Sequence, residues 1–290
     1  MVDLLVLGGL GVDVRVRVPA LPLPAADSHT VEPIALRVGN TGAGVTMASR
    51  ALGLRVRVVD TLGVDPAGDL VRAALARAGV PAALAEDRGG TRRSVNLVDS
   101  GGQRTSLYDP RPWRGSPPFS PTEMAELVRG ARHVHLSIMD WLVPLLPTVR
   151  AALPAGVALS TDLHDWNGEN PYHRPFAEVA DLVLVSGVRL AERAASLAGT
   201  LAPRTVVVTR GADGAELYPG DGTQVPVPPV APPGPVIDSN GAGDAFAAGL
   251  IAGRLRGQPL AEAARYAARV AAAACTHDGM EYPPGLLPTA

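Results

Sequence analysis

Lysine is missing. All 26 basic residues of this 290-residue chain are arginine. A Walker-type phosphate loop needs its lysine, so that NTPase class is excluded. The strand lysine of protein kinases is absent as well, and so is Schiff-base chemistry on a lysine. Cysteine occurs once, at Cys275. That excludes an internal disulfide and fits a cytoplasmic protein; in its alanine-rich run the thiol reads as core filler. No apolar run reaches the roughly 18 residues that span a bilayer. The opening MVDLLVLGGL has no charged leader and reads as a first buried strand rather than a signal peptide. No basic block marks a nucleic-acid surface. Aromatic residues make up only 4% of the chain, which argues against a ring-lined base pocket, whereas 47% hydrophobic content supports a sizeable core.

What is present is concentrated near the C-terminus, in Asp238–Leu250, DSNGAGDAFAAGL. Gly241, Ala242 and Gly243 permit a tight backbone path, and Asp244 then opens an alanine-rich helix. The first N–H groups of a helix have no intrahelical partner, and the helix dipole is positive at that end. Together they make a cradle for an anion. A carboxylate at its rim can take a proton from an attacking hydroxyl, which is the minimum equipment for phosphoryl transfer. The plainer reading is a helix with an acidic residue in its first turn.

At the other end, residues 3–8 read as a strand followed by Gly8-Gly9-Leu10-Gly11-Val12-Asp13. A dinucleotide fingerprint would need a third glycine and a helix here. Residues 12–18 instead alternate apolar and polar, which predicts a strand. Strand-like residues recur near 29–37. Arg37-Val38-Gly39-Asn40-Thr41-Gly42-Ala43-Gly44 then leads into a helix over 45–53. Strands at 91–98 and 104–108 flank Asp99-Ser100-Gly101-Gly102, a hairpin signal. From 119 onward helix and strand alternate, which implies a parallel sheet covered by helices, with ligands at the carboxyl ends of the strands. Ser160-Thr161-Asp162-Leu163-His164-Asp165 lies at one such end. Neighbouring residues on extended chain point opposite ways, so polar loop contacts are preferred there to a transition-metal site. The three tryptophans, Trp113, Trp141 and Trp166, read as core or rim packing. The proline-rich run 225–235 predicts an extended loop.

The DSNGAGDAF run resembles the C-terminal signature of the ribokinase (PfkB-type) carbohydrate kinases, and the likeness extends over nearly the whole chain. The resemblance implies an α/β fold, a ribokinase-like three-layer sandwich with a central, mainly parallel sheet. One kinase unit would span 1–290, with a small β lid from about 12–37 and 91–109. It implies ATP and Mg²⁺ as cofactors and a small-molecule carbohydrate acceptor, with no nucleic-acid or membrane partner. It also implies a homodimer through the lid. Asp244 would be the base, beside the Gly241, Ala242 and Gly243 anion cradle. Asp13, Gly39, Asn40, Gly42, Gly44, Asn96 (or Tyr108), Asp162 and His164 would line the acceptor. Ser186, Thr209, Gly211, Gly214 and Asn240 would line the nucleotide.

Two places depart from the family pattern. Gly44 stands where an asparagine is usual, which suggests a roomier pocket. Ser186-Gly187-Val188-Arg189 replaces Asn-x-x-Glu, leaving Glu192 as a weak stand-in near the ion. A narrower likeness, carried by LVLGGLGVD, TRRSVNLV and STDLHDWNG, is to the branch of the family that phosphorylates the cyclitol 7-hydroxyl of the pseudo-oligosaccharide acarbose. Two rivals stand beside this reading. One is a nucleoside or small-sugar kinase of the same fold; the other is a sugar-binding protein that has lost its chemistry.

Overall fold

The computed structural model describes residues 1–100, 104–109 and 111–289. Gly101 and Gly102 of the expected hairpin turn lie outside the described residues. A nine-stranded sheet forms the centre, built from β1 (Leu4–Leu7), β4 (Val56–Leu62), β5 (Ala82–Glu86), β8 (His133–Leu136), β9 (Ala158–Asp162), β10 (Leu182–Ser186), β11 (Thr205–Thr209), β12 (Ala215–Tyr218) and β13 (Val225–Val227). Its order is β13-β12-β11-β10-β9-β8-β1-β4-β5. Every pairing from β11 to β5 is parallel, and only β12 and β13 run antiparallel.

Strands buried on both faces should be apolar throughout, and β1 (LLVL) and most of β10 (LVLVS) are. Alternate residues feed two cores. Leu4, Val6, Leu182, Leu184 and Val207 pack under α1 (Thr41–Ala51), α2 (Pro66–Arg77), α7 (Ala242–Leu255) and α8 (Leu260–Ala274). Leu5, Leu7, Val183, Val185 and Val208 pack under α3 (Pro121–Arg129), α4 (Leu146–Ala152), α5 (Arg174–Val179) and α6 (Ala194–Leu201). The result is three layers. The tight approach of α7 to α8 depends on Gly249, where a Cβ would press on the Ala267 backbone and the Val270 side chain.

A second sheet of four strands, β3 (Ala35–Gly39), β2 (Gly11–Arg17), β6 (Arg93–Val98) and β7 (Arg104–Asp109), is ordered β3-β2-β6-β7. It is mixed, with β2 and β6 parallel and the other pairs antiparallel. Its register aligns Asp13, Arg15 and Arg17 with Ser94, Asn96 and Val98, and these with Tyr108, Ser106 and Arg104. Paired residues share a face, so one side of this sheet is polar. The other carries Val14, Val95 and Leu107 across one row, with Leu36 beside Val14. The base of the sheet is tied down by a buried pair: Arg92 binds Asp60, Thr61 and the Leu10 carbonyl, and Asp60 also accepts the Leu10 N–H and the Trp141 indole.

Several element boundaries shift. α1 starts at Thr41 rather than Val45, with its small residues inside the helix. Within the alternating region after 119, the segments leading into α4 and α6 are 3-10 turns, the first running across Pro144. β5 reads AALAE; alanine carries little strand preference, and pairing with β4 decides it. A short strand, Val225–Val227, forms at the start of the expected loop. No helix among the described residues is long and apolar enough to cross a membrane.

Candidate active site

Two helices begin side by side at the carboxyl ends of the strands, and neither has a side-chain cap. α1 follows Asn40 at φ 71°, and α7 follows Gly241 at φ 80°. At the start of α7 the Ala242 N–H turns to the Ser239 carbonyl at 3.3 Å, while the Gly243 and Asp244 N–H groups meet no acceptor among the described residues. The expected cradle thus offers two free donors, those of Gly243 and Asp244.

The Asp244 carboxyl packs directly on Gly44 of α1, where any Cβ would collide with it. The small residue does not widen the cleft; it makes room for the carboxylate. The residue as a whole is half-buried, but its carboxyl is enclosed by protein. That burial raises its pKa well above the usual carboxylate range, the charges of Asp162 and Asp13 add to the rise, and Arg104 opposes it. Such a carboxyl holds a proton more readily than ordinary aspartate, which suits a base that must accept one near neutral pH. The Tyr282 hydroxyl, buried and without a partner, lies near Gly241, a donor that sequence reasoning did not find.

On the acceptor side, Asp13 sits on β2 with both carboxyl oxygens engaged. Ser94 Oγ donates to Oδ1 at 2.5 Å, and Asn240 Nδ2 donates to Oδ2 at 3.0 Å. Gly39 allows this carboxyl to lie against its Cα, and Gly42 is held against the Gly8 carbonyl. Asn96, on the same face, accepts from Ser106 Oγ at 2.6 Å. Asn40 holds a left-handed backbone unusual for a non-glycine residue, and its Nδ2 is buried without a partner. Asp162 ends β9 and accepts the His164 N–H at 2.7 Å; His164 Nε2 lies 3.4 Å from Thr41 Oγ1. Asp165 turns away to Arg189 at 3.4 Å.

Beside Asp13 the space is tight. About 20 Å³ is free among Asp13, Arg15, Asn96, Asp238, Asn240 and Met280. A larger hollow of about 410 Å³, beside Val2, Arg57 and Phe119, lies at the opposite ends of the strands and holds none of the candidate residues.

The nucleotide-side candidates end neighbouring strands. Ser186 and Thr209 are register partners on β10 and β11. Ser186 Oγ accepts the Val188 N–H at 3.4 Å. Gly211, at φ 58°, faces open space, but a Cβ at Gly214 would strike the Val227 carbonyl, so Gly214 serves the turn into β12. Asn240 stands apart from this group, hydrogen-bonded between Asp13 and Arg104. Glu192 is exposed, and its charge faces Arg210. No cluster of three or more His, Cys, Asp or Glu that could hold a metal occurs among the described residues. Trp141 and Trp166 are buried in the core.

Comparison with known proteins gives the family. The family model described as pfkB family carbohydrate kinase matches residues 176–285. The chain is 42% identical to the acarbose 7(IV)-phosphotransferase of Actinoplanes sp., over 94% of its own length and 92% of that protein. The solved structure of the microbiome-derived acarbose kinase Mak1 superimposes with a TM-score of 0.86 at 42% identity, covering 96% of this chain and 94% of that one. Arabidopsis thaliana ribokinase, solved with ribose and ATP, shares the fold with a TM-score of 0.79 at 20% identity, covering 99% and 96%. An uncapped helix start beside an enclosed aspartate and close kinship over almost the full length lead to one conclusion: the chain belongs to the pfkB family of carbohydrate kinases.

Proposed function

We propose that this kinase transfers the γ-phosphoryl group of Mg-ATP to a hydroxyl of a pseudo-oligosaccharide of the acarbose type, at the cyclitol 7-position. The observation that carries the reading is Asp244, an enclosed carboxyl with a raised pKa, one residue beyond a free helical N–H. In this reading Asp244 takes the acceptor's proton as its oxygen attacks phosphorus in line. The Gly243 and Asp244 N–H groups receive the charge that develops on the phosphoryl oxygens, and the Tyr282 hydroxyl adds a donor. Asp13 and Asn96 grip acceptor hydroxyls, while Asp162 and His164 border the same cleft. Ser186, Thr209 and Gly211 flank the nucleotide. Magnesium, when bound, neutralises phosphate charge, and Asp162 and Asp244 would reach it through water.

The free volume beside Asp13 is too small for a sugar ring. The small sheet therefore opens to admit acceptor and closes as a lid, which excludes water and suppresses ATP hydrolysis. The whole chain acts as one kinase unit in the cytoplasm. The apolar outer row of the lid, with Leu36 and Leu107 each more than half exposed, supports a homodimer built lid to lid. Such a patch on a soluble protein calls for a cover.

The test is Mg²⁺-dependent ATP consumption over acarbose, maltose, ribose, fructose, fructose 6-phosphate and adenosine. The expected result is turnover on acarbose above the rest, with the phosphate located at the 7-position by NMR. Preferential turnover on a monosaccharide or adenosine would overturn the acarbose assignment. Silence across the panel would favour a protein that keeps the fold without the chemistry.

A further inference from the structure

The turn that launches α7 is held by the lid. Arg15 Nη1 of β2 donates to Asp238 Oδ2 at 2.6 Å, and Asp238 Oδ1 accepts the Asn240 N–H at 2.9 Å. The Asn240 side chain is gripped at both ends. Its Oδ1 accepts from Arg104 Nη1 of β7 at 2.7 Å, and its Nδ2 donates to Asp13 Oδ2 of β2 at 3.0 Å. Only one orientation of the amide satisfies a guanidinium on one side and a carboxylate on the other. Arg17 and Arg37 add contacts to the Ile237 carbonyl and to Asp278. The next residue after Asn240 is Gly241, the left-handed start of the anion cradle.

Asp13 has two oxygens, and they are held differently. Ser94, which holds Oδ1, is its register partner in the same sheet. Asn240, which holds Oδ2, comes from the other side of the cleft. An incoming hydroxyl can displace Asn240 without disturbing the lid itself. We infer that Asn240 is a positioning residue that competes with the acceptor for Asp13, so that acceptor binding releases the 238–241 turn and sets the cradle that receives the phosphoryl group. Without acceptor the turn stays locked to the lid, and water is phosphorylated slowly. This rests on the alcohol-kinase reading above, and it adds the means by which one side of the site senses the other.

The experiment compares the wild-type chain with Asn240→Ala and Arg104→Gln, using acarbose as the acceptor. Asn240→Ala vacates one oxygen of Asp13. Its acarbose KM should fall several-fold while kcat drops about tenfold, and acceptor-free ATP hydrolysis should rise relative to transfer. Arg104→Gln, on an exposed edge strand, should move all three in the same direction by less. A merely structural contact would not split KM from kcat in opposite senses. A raised KM with unchanged hydrolysis would make Asn240 a simple acceptor ligand and overturn the inference. Hydrogen exchange over 237–244 gives a readout independent of turnover: both variants should exchange faster there at unchanged melting temperature. If the wild type phosphorylates no alcohol, the functional reading fails, and exchange still decides the coupling. Unchanged exchange in both variants would overturn it.

Discussion

The starts of α3 and α7 solve the same problem in opposite ways. Both helices expose N–H groups that lack an intrahelical partner. At α3 the chain satisfies them itself: Ser120 accepts the Glu123 N–H, Glu123 reaches back to the Ser120 N–H, and Pro121 has no N–H to satisfy. At α7 there is no side-chain cap, a left-handed glycine stands in the capping position, and two donors stay open. α2 follows α3, with Asp65 capping Gly68 at 2.7 Å; α1 follows α7, uncapped behind Asn40. α2 and α3 are closed by their own side chains. At α1 the Ala43 N–H meets the Gly9 carbonyl at 2.9 Å, whereas at α7 the Gly243 and Asp244 donors stay open, which is what binding of a phosphoryl group would require.

The comparison can be broken first at Asp244. Asp244→Asn should keep nucleotide binding and lower turnover about a thousandfold, since the proton acceptor is gone. Its melting temperature should hold or rise, because an enclosed carboxyl with a raised pKa opposes folding at neutral pH. Near-normal turnover in rapid-quench assays would remove Asp244 from the base role. Next comes Gly44→Ala, which drives a methyl into the Asp244 carboxyl. A shift of that size costs about a hundredfold in rate; unchanged kcat would mean that the carboxyl can step aside without loss.

Tyr282→Phe removes one partnerless hydroxyl near Gly241. About tenfold in kcat should go with it, the scale of one hydrogen bond to a charged group, and nucleotide binding by calorimetry should not change. A subtler change is expected at Asp162. Its charge helps hold the Asp244 pKa up, so in Asp162→Asn the acid limb of the kcat/KM profile should move to lower pH. A limb that stays in place would show that burial alone sets it.

The smallest effect is expected at the closed helix. Ser120→Ala should cost about 1 kcal/mol in urea unfolding and leave kcat untouched. A kinetic effect there would erase the distinction between the two kinds of helix start.

Acid unfolding must be separated from the acid limb of activity. His133 and His135 are buried on β8, both against Ser160 Oγ at 2.8 and 2.9 Å. Burial pushes their pKa values down to about 4 and about 3, below the ordinary 6.5. The unfolded chain therefore takes up protons that the folded one resists. Stability from this pair is complete above pH 6.5 and falls as pH drops toward 4 and then 3, at up to about 1.4 kcal/mol per pH unit for each histidine. Urea midpoints between pH 7 and pH 5 check this, and a flat profile would count against neutral buried histidines.

Much of this was legible in advance because it is local. Strand patterning placed β1, β2 and β10, and β2 running on where a helix would be needed disposed of the dinucleotide reading. The small-residue run at 241–243 announced an uncapped helix start, since short spacing and backbone chemistry suffice to describe one. β5 was missed because alanine states no preference, and the early start of α1 was missed because glycines inside a helix look like a loop. Arg15, Arg104 and Asp238 were missed for a different reason. A hydrogen bond between residues more than 130 positions apart and an ion pair across more than 200 leave no periodic trace, and arginine is too common here to stand out.

The sequence alone determined the family, the layered α/β architecture and the aspartate at the head of α7, because each rests on contiguous residues whose backbone and side-chain preferences agree. Only the tertiary structure decided what Gly44 packs against and which groups hold Asn240. A glycine next to a motif reads as empty space until the fold brings the Asp244 carboxyl against it. An asparagine inside the signature run reads as a nucleotide ligand, and only the fold shows Asp13 and Arg104 on either side of its amide. Packing and hydrogen bonding across the cleft act between distant parts of the chain, and that distance closes only on folding.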